Sequence, residues 1–377
     1  MGIFTHHDND NDDITCPMPR PLVADAPENF VGDYTFHQFN MIFSGACTAI
    51  TCLVIFALMF MHAIRYSNPN EQVKIMRIAM LFPLYSILSF FAICFPNSYV
   101  YLVGWIEVFQ GLALYNFLML LCDFLAPNDR HRVYFFANLR IPSKTGETTD
   151  GLSWLNKTWF LVIQYTPVAF VIAIAQCITE AANVYCLDSN DRHFAHLWLN
   201  ILQVFSEIMA VMAILRFYMN LKSYMKEHKP LYKLLAFKLV VGLAFLEKII
   251  FLILHSTDTL NPTSTLSYAD AYIGIPTMII CLQMVPFSFF FHWAYSTRPY
   301  ELTNNSGSRE YLAVEETQSG RIYKTNRYQG GFLGLYAWFA LFNPVELFRE
   351  IKATYSMFQA SRMAMDSQGN DRMQYEM

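Results

Sequence analysis

The chain has 377 residues, of which 54% are hydrophobic and only 15% are charged. Soluble domains carry about 25% charged residues, and the mean hydropathy of +0.27 agrees with that shortage. The apolar residues come in long blocks, which argues against a soluble enzyme and a disordered protein, and the net charge of −4 argues against a nucleic-acid-binding protein. The composition therefore predicts an integral membrane protein.

Seven apolar blocks are each long enough to cross a bilayer, which takes roughly 17–25 residues of helix. The sixth block is the weakest, because it carries Lys238, Glu247 and Lys248. The blocks are 38–61, two spans within 78–122 that separate near Pro96-Asn97-Ser98, 158–179, 197–215, 233–254 and 271–291. The sequence therefore predicts an all-α fold, a bundle of seven transmembrane helices.

Lysine and arginine set the orientation of such a bundle, because the short loops that carry them stay on the cytosolic side. The first, third and fifth loops hold fourteen of these residues when Lys233 and Lys238 at the start of the sixth block are counted, whereas the second, fourth and sixth loops hold only Arg192. We therefore expect an extracytosolic or luminal N-terminus and a cytosolic C-terminus. The sequons at Asn156 and Asn304 then face the cytosol and stay unmodified, and the topology allows a disulfide between Cys16 and Cys186.

The charge pattern divides the chain into five segments, of which the fourth is a predicted surface helix. That helix begins with Asn343 as its cap and Pro344 at the first helical position. We expect it to lie on the cytosolic membrane surface in contact with lipids, and the alternative is that its apolar face packs against the bundle. The segments are an acidic extracytosolic tail (1–37), the seven-helix membrane domain (38–297), a cytosolic linker (298–331), the amphipathic surface helix (332–360) and a cytosolic tail (361–377).

Polar side chains within the spans are the candidate functional residues. An ionisable group at bilayer depth costs at least about 2.5–3.5 kcal/mol on insertion scales, so it faces a cavity or a partner. We predict that seven of these residues line a path for an amphipathic or ionic solute. They are Glu107, Gln110, Gln164, Glu207, Glu247, Lys248 and Gln283.

The charges among these residues leave two other interpretations open. Neighbouring positions on a helix point about 100° apart, so we expect Lys248 to pair with Glu207 rather than with Glu247. Such a pair could serve only to fix helix packing. The other interpretation is proton coupling through one of the carboxylates.

The cytosolic side carries two further kinds of candidate site. Cys122 lies at the end of the third span, where it is either a lipidation site or a plain membrane-border cysteine. Two aromatic-x-x-aliphatic segments could bind a partner, although patterns this short also arise by chance. Their outer residues are Tyr311 and Val314 in the linker, and Phe348 and Ile351 in the surface helix.

An enzyme and a receptor are weaker interpretations. The outer histidines lack the spacing of a zinc site, so we predict no catalytic residue, metal or cofactor. The third span ends in Cys122-Asp123-Phe124 rather than in the acidic-Arg-aromatic triplet that is typical of a receptor.

A series of short motifs runs in order from about residue 76 to residue 300 and again before the surface helix. The motifs are Tyr115-Asn116-Phe117-Leu118, Gln164-Tyr165, Phe217-Tyr218, Pro230-Leu231-Tyr232-Lys233, Lys238-Leu239-Val240, Gln283-Met284, His292 and Asn343-Pro344. Together they resemble the organic solute transporter alpha and transmembrane protein 184 family.

The resemblance implies a seven-helix protein of the plasma membrane or of vacuolar and endosomal membranes. Some members of that family move steroid conjugates and bile-acid-like anions with a single-span beta subunit. Others organise vacuolar and autophagy-related membranes, one of them through a C-terminal helix that binds a lipidated ubiquitin-like modifier. We therefore expect a transporter or lipid-handling protein for sterol-like or other amphipathic solutes, acting with a beta-like subunit or as a homo-oligomer. The alternative is a membrane scaffold that recruits the modifier.

The sequence also departs from the family pattern. It has Gln110 and Gln283 where the family is expected to have acids, and Glu247 where a glutamine is expected. Of the cysteine-rich cluster in the steroid-transporting branch, only Cys122 stands near the corresponding place. These differences favour the broader, less characterised branch.

Overall fold

The computed structural model describes residues 16–301 and 328–359, apart from positions 20, 25, 127–128, 143–147 and 190, scattered positions between 226 and 261, and positions 346–347, 350, 353–354 and 357–358. The fold is helical, with one short antiparallel hairpin of β1 (Arg140–Pro142) and β2 (Thr148–Asp150) that the sequence pattern did not predict. The helices assigned in the described residues are α1 (Phe36–Ile64), α2 (Pro69–Ala79), α3 (Leu81–Cys94), α4 (Tyr99–Leu125), α5 (Asp129–Ala137), α6 (Gly151–Ile163), α7 (Tyr165–Ala181), α8 (Ala195–Leu221), α9 (Ile275–Ala294) and α10 (Leu335–Phe342).

Within the described residues, six helical stretches are long and apolar enough to cross a membrane. The stretches are Phe36–Ile64, Pro69–Cys94, Pro96–Leu125, Gly151–Ala181, Ala195–Leu221 and Asp270–Tyr300. The prediction of a multi-pass helical membrane protein is confirmed by these six stretches, each of which contains one of the predicted apolar blocks. Half of the positions of the remaining block, 233–254, lie outside the described residues, and its described positions are helical.

The helices extend beyond the uncharged blocks because caps, and not charges, determine where they begin. Helix α1 begins after a capping box in which Thr35 and Gln38 exchange side-chain to backbone hydrogen bonds. Helix α2 begins with Pro69 at its first position, so Lys74 and Arg77 lie inside a helix and not in a loop as predicted.

Prolines explain the breaks inside two of the membrane stretches. A proline in a helix clashes with the carbonyl four residues earlier and cannot donate a hydrogen bond to it. Pro83 lies four residues after Ala79, where α2 ends, and Pro167 lies four residues after Ile163, where α6 ends. The predicted break between the second and third spans is a 3₁₀ turn at Pro96–Ser98, as expected.

Helix α4 lies at the centre of the bundle, and 83% of its most apolar 18-residue segment is buried. Two glycines allow α7 to pack closely against it. A Cβ atom on Gly111 would lie 2.8 Å from Oγ1 of Thr166, and a Cβ atom on Gly104 would lie 3.0 Å from Cα of Ala173. This close approach of α4 and α7 positions the polar side chains described below.

The C-terminal part packs at the end of α1 and α2. Arg77 donates a hydrogen bond of 3.1 Å to the carbonyl of Ala340 in α10. The predicted cap is confirmed, because the side chain of Asn343 accepts from the backbone N–H of Val345 at 3.0 Å. Only part of the apolar face of the predicted surface helix is exposed. Phe348 is 69% exposed, whereas Ile351 packs against the main core.

Candidate functional site

The middle of the bundle contains a connected group of polar side chains from four helices. We call it the polar cluster, and none of its members is more than 7% exposed. Its members are Tyr85 on α3, Glu107 and Gln110 on α4, Tyr165 on α7, and Gln203 and Glu207 on α8. Helical spacing explains the arrangement, because residues three or four apart lie on one face of a helix.

Gln110 connects the two ends of the cluster. Its amide Nε2 donates to Oε1 of Glu207 at 2.8 Å and to the hydroxyl of Tyr165 at 3.2 Å. Its Oε1 accepts from the hydroxyl of Tyr85 at 3.0 Å. One side chain therefore joins α3, α4, α7 and α8 through both ends of its amide.

Glu107 is the second carboxylate of the cluster. The hydroxyl of Tyr165 donates to Oε2 of Glu107 at 2.8 Å. The amide of Gln203 lies 3.3 Å from the same oxygen and donates to the Tyr165 hydroxyl at 3.1 Å. Amide and phenol donors thus stabilise a carboxylate in an environment from which bulk water is excluded.

A carboxylate–amide pair lies between the sixth predicted span and α9. Gln283 donates to Oε2 of Glu247 at 2.9 Å, and both side chains are buried. Oε1 of Glu247 has no hydrogen-bond partner among the described residues.

Of the seven intramembrane residues that the sequence singled out, three lie in the polar cluster and two others pair with each other. The three are Glu107, Gln110 and Glu207, and the pair is Glu247 with Gln283. Gln164 lies apart from both groups, at the junction of α6 and α7, where it exchanges hydrogen bonds with Ser206, to the carbonyl at 3.3 Å and from the hydroxyl at 3.0 Å. Lys248 lies outside the described residues, so its pairing with Glu207 stays a prediction.

Sequence reasoning missed three members of the polar cluster: Tyr85, Tyr165 and Gln203. Two of them could have been found from a weak signal. Gln203 precedes Glu207 by one helical turn, and Tyr165 follows a glutamine that was singled out. A tyrosine in an apolar span carries no such signal by itself, because its ring packs like any other hydrophobic side chain.

A second buried charged group lies at the other end of α4, where the sequence singled out only Cys122. Lys74 contacts Oδ2 of Asp123 at 2.6 Å, and Arg132 contacts Oδ1 at 2.8 Å. All three side chains are buried, so the triad ties α2, α4 and α5 together. The neighbouring Cys122 is 2% exposed, so lipidation of its thiol would require this end of the bundle to open.

The other predicted sites give a mixed outcome. Tyr311 and Val314 lie outside the described residues, and Phe348 is exposed whereas Ile351 is partly buried. No group of three metal-ligating side chains converges in the part of the chain that the structure describes. The disulfide that the topology allowed is present between Cys16 and Cys186, with their Cα atoms 5.7 Å apart.

Comparison with known proteins gives one family and two informative relatives. Residues 40–300 match the family model described as organic solute transporter Ostalpha. A transmembrane protein 184 homologue of Dictyostelium discoideum is 26% identical over 263 residues, which cover 65% of this chain and 50% of that protein. Protein LAZ1 of Arabidopsis thaliana is 23% identical over 291 residues, which cover 71% of this chain and 60% of that protein. The match therefore spans half to three fifths of these relatives' length, and no solved structure matches the chain.

Proposed function

Because the chain belongs to the organic solute transporter Ostalpha family, we propose that it transports or handles amphipathic organic solutes of the sterol or bile-acid-like class. One observation supports this most directly: six polar side chains from four helices meet at the centre of an otherwise apolar bundle. Ligand sites for such molecules combine an apolar lining with a few polar groups that fix orientation. The phenol and amide groups of the cluster would bind the hydroxyl or anionic group of the solute.

The proposal includes a seventh span at 233–254 and an extracytosolic N-terminus. Two independent observations support this topology. In the predicted loops and at the ends of the helices that flank them, basic residues on the odd-numbered side outnumber those on the even-numbered side by fourteen to one. The Cys16–Cys186 disulfide joins the N-terminal segment to the loop between α7 and α8, and disulfides persist in extracellular and luminal compartments. The host is a plasma, vacuolar or endosomal membrane.

Uptake of a labelled sterol sulfate into proteoliposomes tests the transport function. Glu107→Gln and Glu247→Gln keep the side-chain volume but replace an ionisable carboxyl group with an amide, in the polar cluster and in the Glu247–Gln283 pair respectively. We expect both variants to lower uptake by at least about tenfold, because a buried polar group that loses its matched partner costs more than 1 kcal/mol.

Glu301→Gln is the matched control. The side chain of Glu301 is half exposed, and its only ion pair among the described residues is with Arg65 at 2.7 Å. Its uptake should equal that of the parent protein. Uptake that is the same with empty liposomes, or that ignores both intramembrane substitutions, would contradict a transport role for the cluster. Adding a single-span beta-like subunit, or following the oligomeric state, tests which assembly is active.

A membrane scaffold that recruits a ubiquitin-like modifier is the second candidate. The exposure of Phe348 and Val345 at the start of the C-terminal helix favours a recruiting role, because no described residue buries these apolar side chains. Binding of a purified ubiquitin-like modifier to the full chain in nanodiscs should be lost in Phe348→Ala. Phe342→Ala, which removes an equally exposed ring in the neighbouring α10, should leave it unchanged. Binding that survives Phe348→Ala would count against recruitment through this helix.

A further inference from the structure

The C-terminal part of the chain contains a short helical segment that carries no charge. The segment runs from Phe332 to Phe342, and we call it the apolar segment. It consists of a 3₁₀ turn at Phe332–Gly334 followed by α10. A helix that is hydrophobic all round is typically buried in a protein core or in a membrane. Each face of the apolar segment therefore requires an apolar environment.

The bundle provides that environment for one face only. Ala337 and Leu341 are buried in the main core. Positions 335, 339 and 342 lie three or four residues apart, so they share another face of the helix. No described residue buries the large side chains on that side, which are 48–71% exposed: Leu335, Tyr336, Phe339 and Phe342. Something outside the described residues must cover them.

Two contacts fix the depth at which the two ends of the segment lie. Where α10 begins, a Cβ atom on Gly334 would lie 2.6 Å from the backbone of Ala63, so the chain passes directly against the end of α1. Near the end of α10, the carbonyl of Ala340 accepts from Arg77 of α2 at 3.1 Å. Ala63 is two residues before Arg65, with which the uncharged stretch of α1 ends, and Arg77 is the last charged residue before an uncharged stretch at 78–106. Both contacts therefore lie at the boundary between the hydrocarbon core and the headgroups.

A helix whose two ends lie at the same depth runs parallel to the membrane plane. The eight residues of α10 extend for about 12 Å, far less than the roughly 30 Å of a bilayer core. Tyr336 and Trp338 are of the two residue types that are enriched where membrane and water meet. Helices that lie in this plane insert their apolar face about 5–10 Å into the boundary between headgroups and acyl chains.

The part of the predicted surface helix that follows Asn343 differs from the apolar segment in its charge. Arg349 and Lys352 are exposed there. Positions 343–360 carry two basic and two acidic residues, so they give no net attraction to anionic headgroups. The chemistry that fits the exposed face of α10 is therefore that of lipid acyl chains and not that of a headgroup charge.

We propose that the apolar segment is embedded in the leaflet at this end of the bundle, with acyl chains covering the face that carries Phe339 and Phe342. In the proposed topology this is the cytosolic leaflet. The inference assigns the membrane contact of the C-terminal part to residues 332–342, and not to the whole of the predicted surface helix. It is independent of the transport proposal, because it involves neither the polar cluster nor a solute.

Photo-crosslinking from within the segment tests what covers it. Phe339→p-benzoylphenylalanine introduces a benzophenone, which bonds to neighbouring C–H groups on irradiation, at the most exposed ring of α10. The full chain is irradiated in phosphatidylcholine liposomes, and adducts are quantified by intact mass and located by tandem mass spectrometry. The same replacement at Phe205, which is 61% exposed on α8, is the lipid-facing reference. The replacement at Val23, which is 66% exposed before α1, is the reference outside the spans.

We expect a lipid adduct at position 339 with a yield within about twofold of that at position 205 and at least about tenfold above that at position 23, because an in-plane helix inserts its apolar face among acyl chains. The new bond should lie on an acyl chain. A yield as low as that at position 23, or bonds confined to the headgroup, would overturn the embedding. A crosslinked dimer without a lipid adduct would also overturn it, since a second copy of the chain would then cover this face. Phe342→p-benzoylphenylalanine decides the matter by the same criteria if the first variant does not fold, as judged by size-exclusion chromatography.

Discussion

The hydroxyl of Tyr165 is the most connected atom of the polar cluster, and Tyr165→Phe removes it without changing the ring. The hydroxyl donates to Glu107 at 2.8 Å and accepts from Gln110 at 3.2 Å and from Gln203 at 3.1 Å. Side-chain hydrogen bonds inside membrane proteins average about 0.6 kcal/mol and reach about 1.7 kcal/mol. The bond to the carboxylate belongs near the upper value because it is charge-assisted.

Together these bonds predict that Tyr165→Phe lowers the free energy of unfolding by about 3 kcal/mol. The measurement is tryptophan fluorescence of the purified protein during denaturant titration in mixed micelles. Tyr101→Phe, on the exposed side of α4, should change the free energy by less than about 0.5 kcal/mol. Equal stability of the two variants would refute the assignment of Tyr165 to a connected network.

Three further predictions address the rest of the framework. Asp123→Leu leaves Lys74 and Arg132 buried without their shared carboxylate and should lower the free energy of unfolding by about 3–5 kcal/mol, while Glu301→Leu, at an exposed ion pair, should cost at most about 1 kcal/mol in the same titration. Gly111→Ala places a Cβ atom 2.8 Å from Thr166 and should destabilise the contact between α4 and α7 by about 1–3 kcal/mol. Gly242→Ala, whose added Cβ meets no atom of the described residues within 4 Å beyond its own stretch of helix, should be neutral or stabilising; similar losses in both would contradict the packing argument. Asn156 and Asn304 should stay unglycosylated in a eukaryotic host, and a sugar found on either by mass shift after glycosidase treatment would contradict a cytosolic third loop or C-terminus.

The membrane-spanning helices could be predicted from the sequence because a bilayer imposes one requirement on every span: about 20 apolar residues whose backbone groups bond to one another. Their ends could not be located in the same way. Lys74 was assigned to a loop by its charge, yet it lies in α2, where its charge is paired with Asp123, distant in sequence. Composition reveals which side chains are costly to bury but not which ones lie together.

The residues of the candidate site could likewise be predicted from the sequence only in part. Glu107, Gln110 and Glu207 were identified because charged and amide groups are rare in apolar spans. Tyr165 was missed because its role depends on the close approach of α4 and α7. Gly111 allows that approach, but no local sequence pattern predicts it. The hydrogen bonds of Leu22 with Asn97 were missed because they join positions 75 residues apart, whereas the predicted topology allowed the disulfide between Cys16 and Cys186, 170 residues apart.

Photo-crosslinking with a diazirine derivative of a sterol sulfate, followed by peptide mass spectrometry, tests most directly whether the polar cluster lines a solute path. If it does, the label appears on peptides that contain Glu107 and Gln110 or Gln203 and Glu207, and excess unlabelled sterol sulfate removes it. Labelling confined to lipid-facing positions such as Trp198 and Phe205, unchanged by the competitor, would contradict that role.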